Sequence, residues 1–362
     1  MPRVDVIRRI ASTVARSRHQ AHVRRNPLDP NGIIAATLGR ERLHAMDVGA
    51  AGGVAMHWRD YLSVLDVDCF EPDDAECAAR QRDSPPNVRW YPVALAGNSG
   101  RRPFYVLNRA TGSSLYPPND PVILEYSGRS YAGIRKVTEI ECTSLADFLV
   151  EHQRPVPELV KLDTQGSELE ILSSLSATQA AEMLLVEIEV EFLELYKGQP
   201  TFGDVHSFMC GRGFRLLDLR THRSYRNAMD QPNHYLRAYL RTAAGSAALS
   251  AELVAGDALY MRDPMPGEAT ASTLRELVAL VCLLRMYRYY DLAIWTVARA
   301  ARDRVLSPSE SSDLLRDVIH GAPDSSLAQR ANLIGSALRR AAWMLGRDDH
   351  EVFWTRRKWP DQ

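Results

Sequence analysis

The stretch AMDVGAAGG (Ala45–Gly53) closes an apolar run in a crowd of glycines, and its reading decides the fold. The run LHAMDVGA (43–50) predicts a buried strand, the glycines a tight turn, and 54–63 a helix behind it. The same alternation repeats downstream. LDVDCFEP (65–72) reads as a strand and 73–82 as a helix; further strands fall at about 88–96, 158–163 and 183–190, with helices at about 167–175 and 202–212. RLLDLR (215–220) and GDALYMRD (256–263) complete seven strands. Strands joined through helices cannot be simple hairpins, so the class is α/β with a mostly parallel, Rossmann-like sheet flanked by helices. Between the third and fourth strands the pattern loosens. GRRPFYVLNR and RKVTEIECTSL read as inserted β runs, TGSSLYPPNDP as a loop, and LADFLVEH as a short helix.

In such a sheet a ligand lies beyond the carboxyl ends of the strands. A dinucleotide pyrophosphate asks for GxGxxG, but the turn here reads GxxGG (Gly49, Gly52, Gly53), which disfavours that ligand. A nucleoside carrying an amino-acid tail would use the turn differently: Gly49, Ala50, Gly52 and Gly53 let the backbone pass close, and Asp47 engages an ammonium group directly or through water. The second strand ends in Glu71-Pro72, where an acidic side chain accepts hydrogen bonds from both ribose hydroxyls. Together the two motifs favour S-adenosylmethionine over a nicotinamide cofactor.

Composition bounds the alternatives. The 362 residues carry 44 basic and 45 acidic side chains, a formal charge of -1, with 25% charged and 45% hydrophobic residues. This balance speaks against a nucleic-acid binder held mainly by phosphate contacts. Cys69, Cys77, Cys142, Cys210 and Cys282 are scattered and form no CxxC or Cys/His cluster, so neither a disulfide framework nor a structural zinc site is indicated and a reducing, cytoplasmic compartment is expected. No apolar run reaches the ~18 residues of a transmembrane segment. Residues 1–42 read as a basic N-terminal helical extension, in which Ile7, Ile10 and Val14 share a face; the Arg-rich, acid-poor start also suits an organelle transit peptide. After Pro264 and Pro266 the apolar spacing turns helical, giving an all-helical C-terminal domain over 267–362 that could join two subunits into a homodimer.

The stretch VKLDTQGSELEIL (160–172) closely resembles the signature of the FkbM-type S-adenosylmethionine-dependent methyltransferases: lysine, apolar, aspartate, two residues, glycine, then a Glu-Leu-Glu helix start. DVGAAGG, FEPD, TGSSLYPPN and LLVEIEVEFLELYKGQPTF resemble other segments of that family, in its order. The resemblance implies a class I methyltransferase domain over 43–266, S-adenosylmethionine as donor, and usually O-methylation of a sugar, glycan or secondary metabolite. Where many relatives have DVEG this chain has DTQG, so any role of that carboxylate does not carry over to Gln165. A methyltransferase-fold partner without catalysis, acting through its helical tail, is the alternative; the intact Asp47, Gly49, Glu71 and Asp163 speak against it.

An alcohol acceptor needs a group to take its proton. Asp163 closes the fourth strand and is the leading candidate, with an N-cap role for the following helix as its structural alternative. Lys161 shares its strand face and reads as structural, requiring an acidic partner. Glu187, Glu189 and Glu191 share one face of the fifth strand; mutual repulsion would raise a pKa or invite a cation, and Glu189 is carried forward as a second catalytic candidate. A divalent metal between Asp163 and one of these glutamates lacks the support of any HxH or HExxH pattern. His206, near the carboxyl edge of the sheet, is the alternative base, ahead of His57, His222 and His234. Asn108, Ser113 and Ser114 sit in the inserted loop, where they bind cofactor or acceptor or simply serve the turn. The loop 221–235 mixes His222, Arg223, Tyr225, Arg226, His234 and Tyr235, which suits a phosphorylated or sugar-nucleotide acceptor.

Overall fold

The computed structural model describes residues 26–126, 133–224, 252–262 and 273–320. The N-terminal basic segment, most of the 221–235 loop and everything after 320 lie outside the described residues. The chain divides into two compact units. One holds the described residues 26–43, 53–65 and 273–320; the other holds 44–52, 66–126, 133–224 and 252–262.

The larger unit is built on seven strands: β1 (Leu43–Val48), β2 (Leu65–Phe70), β3 (Val88–Tyr91), β7 (Leu159–Leu162), β8 (Leu185–Glu191), β9 (Phe214–Ser224) and β10 (Glu252–Arg262). Their spatial order is β3-β2-β1-β7-β8-β10-β9. β2 and β3, β1 and β7, and β7 and β8 pair in parallel, while β10 runs antiparallel to both neighbours. The sheet is thus the mostly parallel, Rossmann-like one expected. Its central strands are buried on both faces, so the polar side chains they carry, His44 and Asp47 on β1 and Glu187 and Glu191 on β8, are buried with the apolar ones. Met46, Val48, Phe70, Leu162, Ile188 and Tyr260 form its core with Phe148 of α4 (Leu145–Glu151), Ile171 of α5 (Glu168–Ser173) and Val205 of α7 (Phe202–Gly211).

The expected strand 88–96 is two strands. Pro92 cannot donate to a ladder, and after it β4 (Ala94–Ala96) leaves for a second sheet. That sheet, of order β4-β6-β5, contains the two inserted runs: β5 (Gly100–Leu107) and β6 (Ile134–Ser144) pair antiparallel, and β4 runs parallel to β6. β9 continues to Ser224, into residues read from sequence as loop, because β10 pairs with it that far. Side-chain caps start the helices where the sequence offers them: Asp73 accepts from the N–H groups of Ala75 and Glu76 to open α2 (Asp74–Asp83), and Thr201 and Asp204 form a capping box on α7. The connecting helices α3 (Asp120–Tyr126) and α6 (Ala177–Ala180) are short.

The second unit is helical. It contains α1 (Ile33–Leu38), α8 (Leu274–Met286), α9 (Tyr290–Arg302), α10 (Pro308–Ile319) and Met56–Val64, a 3-10 helix where the sequence predicts a helix over 54–63. Arg285, fully buried, holds the unit together: its guanidinium donates to the carbonyls of Asn26 (3.1 Å), Pro27 (2.8 Å), Asp317 (2.9 Å) and His320, and to the Tyr61 hydroxyl (2.5 Å). Among the described residues, no helix is long and apolar enough to cross a membrane.

Candidate active site

The larger unit carries an open cavity of about 670 Å³ at the carboxyl ends of β1, β2 and β7. The first element on its wall is the glycine turn. Gly49 has φ +81°, and a Cβ there would stand 2.0 Å from the carbonyl oxygen of Asp163, so only glycine lets the turn pass the end of β7. The N–H groups of Gly49 and Ala50 both donate to Phe70 O at 3.1 Å. These two amides are therefore spent on the sheet and are not offered to a phosphate. Gly52 lines the cavity with nothing within 4 Å of its would-be Cβ. Ala50 is buried and Gly53, at φ +89°, falls in the helical unit; neither lines the cavity.

Glu71 and Pro72 follow β2 into the cavity. The Glu71 carboxylate accepts from Asp73 N at 3.1 Å, and partial burial raises its pKa, marking a carboxylate short of water and suited to hydroxyl donors.

Asp163 enters from the end of β7. Register aligns Asp47, Lys161 and Glu187 across β1, β7 and β8. Lys161 Nζ lies 3.3 Å from Asp163 Oδ2 and 3.9 Å from Asp47 Oδ1, the acidic company a lysine in this strand requires. Burial would raise the Asp163 carboxyl, but the Lys161 ammonium and hydrogen bonds from Glu189, Gln165 and Lys161 hold it below the usual carboxylate range. Glu189 behaves oppositely: burial and the charge of Asp163 push it well above that range, so Glu189 keeps a proton and shares it with Asp163. Gln165 joins the pair, its amide nitrogen donating to Asp163 Oδ1 (3.1 Å) and to Glu189 Oε2. Its carbonyl side accepts from the hydroxyl of buried Tyr196 (2.9 Å). Gln165 itself sits at φ +61°, held there by Ser114 Oγ donating to its backbone oxygen (2.6 Å). Next to it, Glu168 accepts from the N–H groups of Thr164 (2.6 Å) and Gly166 (2.9 Å). Ser167 is the N-cap residue of α5, so Asp163 is not.

Of the residues selected from sequence, Gly49, Gly52, Glu71, Pro72, Ser113 and Asp163 line one cavity. Asp47 and Glu189 stand behind it, tied to Lys161 and to Asp163. Asn108, whose N–H donates to Gly133 O, is outside the lining. His206 is not brought to Asp163: its ring stacks on Phe202, and Nδ1 is 3.2 Å from the Tyr260 hydroxyl. Among the described residues, no three His, Cys, Asp or Glu side chains are placed to hold a metal ion. Gln165 and Tyr196 escaped the sequence reading, as did the wall formed by Phe104, Val106, Thr138 and Ile140, although the alternation in both inserted runs carried its signal.

Residues 47–216 match the family described as the methyltransferase FkbM domain. This stretch is an FkbM methyltransferase domain. Its glycine turn, Glu71 and the 160–172 signature all fall within the matched residues, and the seven-stranded sheet around it is a class I methyltransferase fold. Methyl transfer is therefore the reaction class to which the FkbM domain points. No curated protein matches the sequence. Among solved structures, the magnesium protoporphyrin IX methyltransferase of Synechocystis, with bound SAM, is 9% identical, covering 64% of this chain and 76% of its own, at a TM-score of 0.29. The precorrin-6y C5,15-methyltransferase of Geobacter metallireducens is 10% identical over 64% and 87%, at 0.26. The 1,6-didemethyltoxoflavin-N1-methyltransferase of Burkholderia thailandensis, with bound S-adenosylhomocysteine, is 11% identical over 72% and 90%, at 0.25. Similarities of this size carry no argument about substrate.

Proposed function

We propose that the chain is an S-adenosylmethionine-dependent O-methyltransferase acting on a hydroxyl of a sugar, glycan or secondary metabolite. The observation that carries the proposal is that Glu71, Gly52 and Asp163, from the ends of three parallel strands, open into one cavity. The residues fit the donor. Gly52 leaves the turn unobstructed, Glu71 offers a partly desolvated carboxylate to the ribose hydroxyls, and the spent amides of Gly49 and Ala50 suit a ligand without phosphate.

S-adenosylmethionine, when bound, supplies a methyl group activated on a sulfonium. Everything else is asked of the protein. Asp163, ionised beside Lys161, accepts a hydrogen bond from the acceptor hydroxyl and takes its proton as the oxygen becomes an ether. Glu189, already protonated, and Gln165 hold the Asp163 carboxylate in place from behind. Alignment of donor and acceptor in the cavity contributes the larger share of the barrier lowering, because positioning two reactants is worth up to roughly 7–11 kcal/mol.

Glu71→Ala tests the donor assignment. Loss of two charge-assisted hydrogen bonds should weaken S-adenosylhomocysteine binding at least about tenfold, or ~1.4 kcal/mol, by calorimetric titration. Unchanged affinity would remove Glu71 from the donor site.

A further inference from the structure

We infer that the acceptor is an uncharged molecule that lays an apolar body against the inserted sheet, and that it is preferred there over sugar phosphates and sugar nucleotides. The inference rests on the methyltransferase reading of the same cavity and specifies its second ligand.

In the antiparallel β5–β6 pair, Phe104 stands opposite Thr138, and Val106 and Ile140 share their face by the two-residue period. All four line the cavity, and Leu115 continues the surface. An apolar wall of this kind releases ordered water only to an apolar surface. The charged side chains on the lining are Glu71, Asp73, Glu76 and Asp163; among the described residues no Lys, Arg or His lines it. Three of the nearby bases are engaged with carboxylates, and exposed Arg109 donates to the Thr111 hydroxyl (3.1 Å). Arg102, on the same sheet face, lies 2.6 Å from Glu170 and over the Tyr116 ring; Arg80 lies 2.7 Å from Glu76; Lys161 belongs to Asp163. Lys136, opposite Val106, is exposed and does not line the cavity. Arg and Lys donors recognise phosphate, and a phosphate at the acceptor end would meet the ionised Asp163 instead. The expectation of a phosphorylated or sugar-nucleotide acceptor came from the basic loop 221–235; its described residues His222 and Arg223 lie on β9 and do not line the cavity, while Tyr225, Arg226, His234 and Tyr235 lie outside the described residues.

The test uses the full chain. It is first titrated with S-adenosylhomocysteine, and the saturated protein is then titrated at low salt with monomeric n-octyl β-D-glucoside and, separately, with UDP-glucose. Octyl glucoside should bind at least about tenfold more tightly than UDP-glucose. Ile140→Ser should weaken octyl glucoside about tenfold while leaving S-adenosylhomocysteine affinity unchanged, and Thr138→Arg should favour UDP-glucose. Equal or tighter binding of UDP-glucose, or no binding of octyl glucoside, overturns the inference while the donor reading stands. Failure to bind S-adenosylhomocysteine brings down both.

Discussion

Two carboxyl groups in contact cannot both ionise cheaply, and Asp163 and Glu189 resolve the conflict through their other neighbours. Lys161 stabilises charge on Asp163, while burial keeps the proton on Glu189. The division leaves the ionised member facing the cavity. Asp163→Asn should therefore lower turnover by about 10²–10⁴-fold and change S-adenosylhomocysteine affinity little, which separate kinetic and calorimetric measurements would show. Equal turnover in the two proteins would make Asp163 structural. Asp163 was legible in the sequence because a strand-ending aspartate before glycine is a recognisable pattern. Gln165 was not, since its part depends on Tyr196 and Ser114, residues 31 and 51 positions away that only the fold brings to it.

The glycine turn and the inserted sheet decide what the cavity can hold. Two glycines of the turn have different reasons for being there, and substitution should separate them. Gly49→Ala forces a Cβ against the Asp163 carbonyl at φ +81° and should cost at least about 1–3 kcal/mol of stability by denaturant unfolding. Gly52→Ala meets nothing in the protein and should leave stability within about 0.5 kcal/mol, while its methyl narrows the cavity and weakens S-adenosylhomocysteine binding. The reverse pattern would mean that the turn is not shaped for this ligand. Element types were read correctly wherever burial imposed a period. The misreadings came where local chemistry intervened: Pro92 splits one apolar run between two sheets, and polar Thr221–Ser224 becomes strand because β10 supplies its ladder.

At the scale of the molecule, the buried carboxyls of the larger unit set its response to pH. Burial and then the nearby Glu168 charge push Glu191 up to about 8, against about 4.3 for an unfolded glutamate. Between those values the folded state holds a proton the unfolded state has released, so this contribution to stability is fully present below about pH 4 and is lost as pH rises through 8. The slope reaches about 1.4 kcal/mol per pH unit at most. Glu191→Gln, neutral throughout, should flatten the fall in Tm between about pH 5.5 and 8.5; an unchanged slope would assign it to other groups. The helical unit was half legible. Its C-terminal helices announce themselves by periodicity, but residues 26–43 join them through pairings such as Asp317 with the Ile34 N–H (2.8 Å), which leave no local trace.

The most direct measurement is calorimetric titration of the purified chain with S-adenosylhomocysteine, with NAD as the control. Micromolar binding of the nucleoside thioether and none of the dinucleotide is the predicted result, since the turn spends its first two amides on Phe70 and so does not offer them to a pyrophosphate. Binding of NAD in preference, or of neither ligand, would contradict the account.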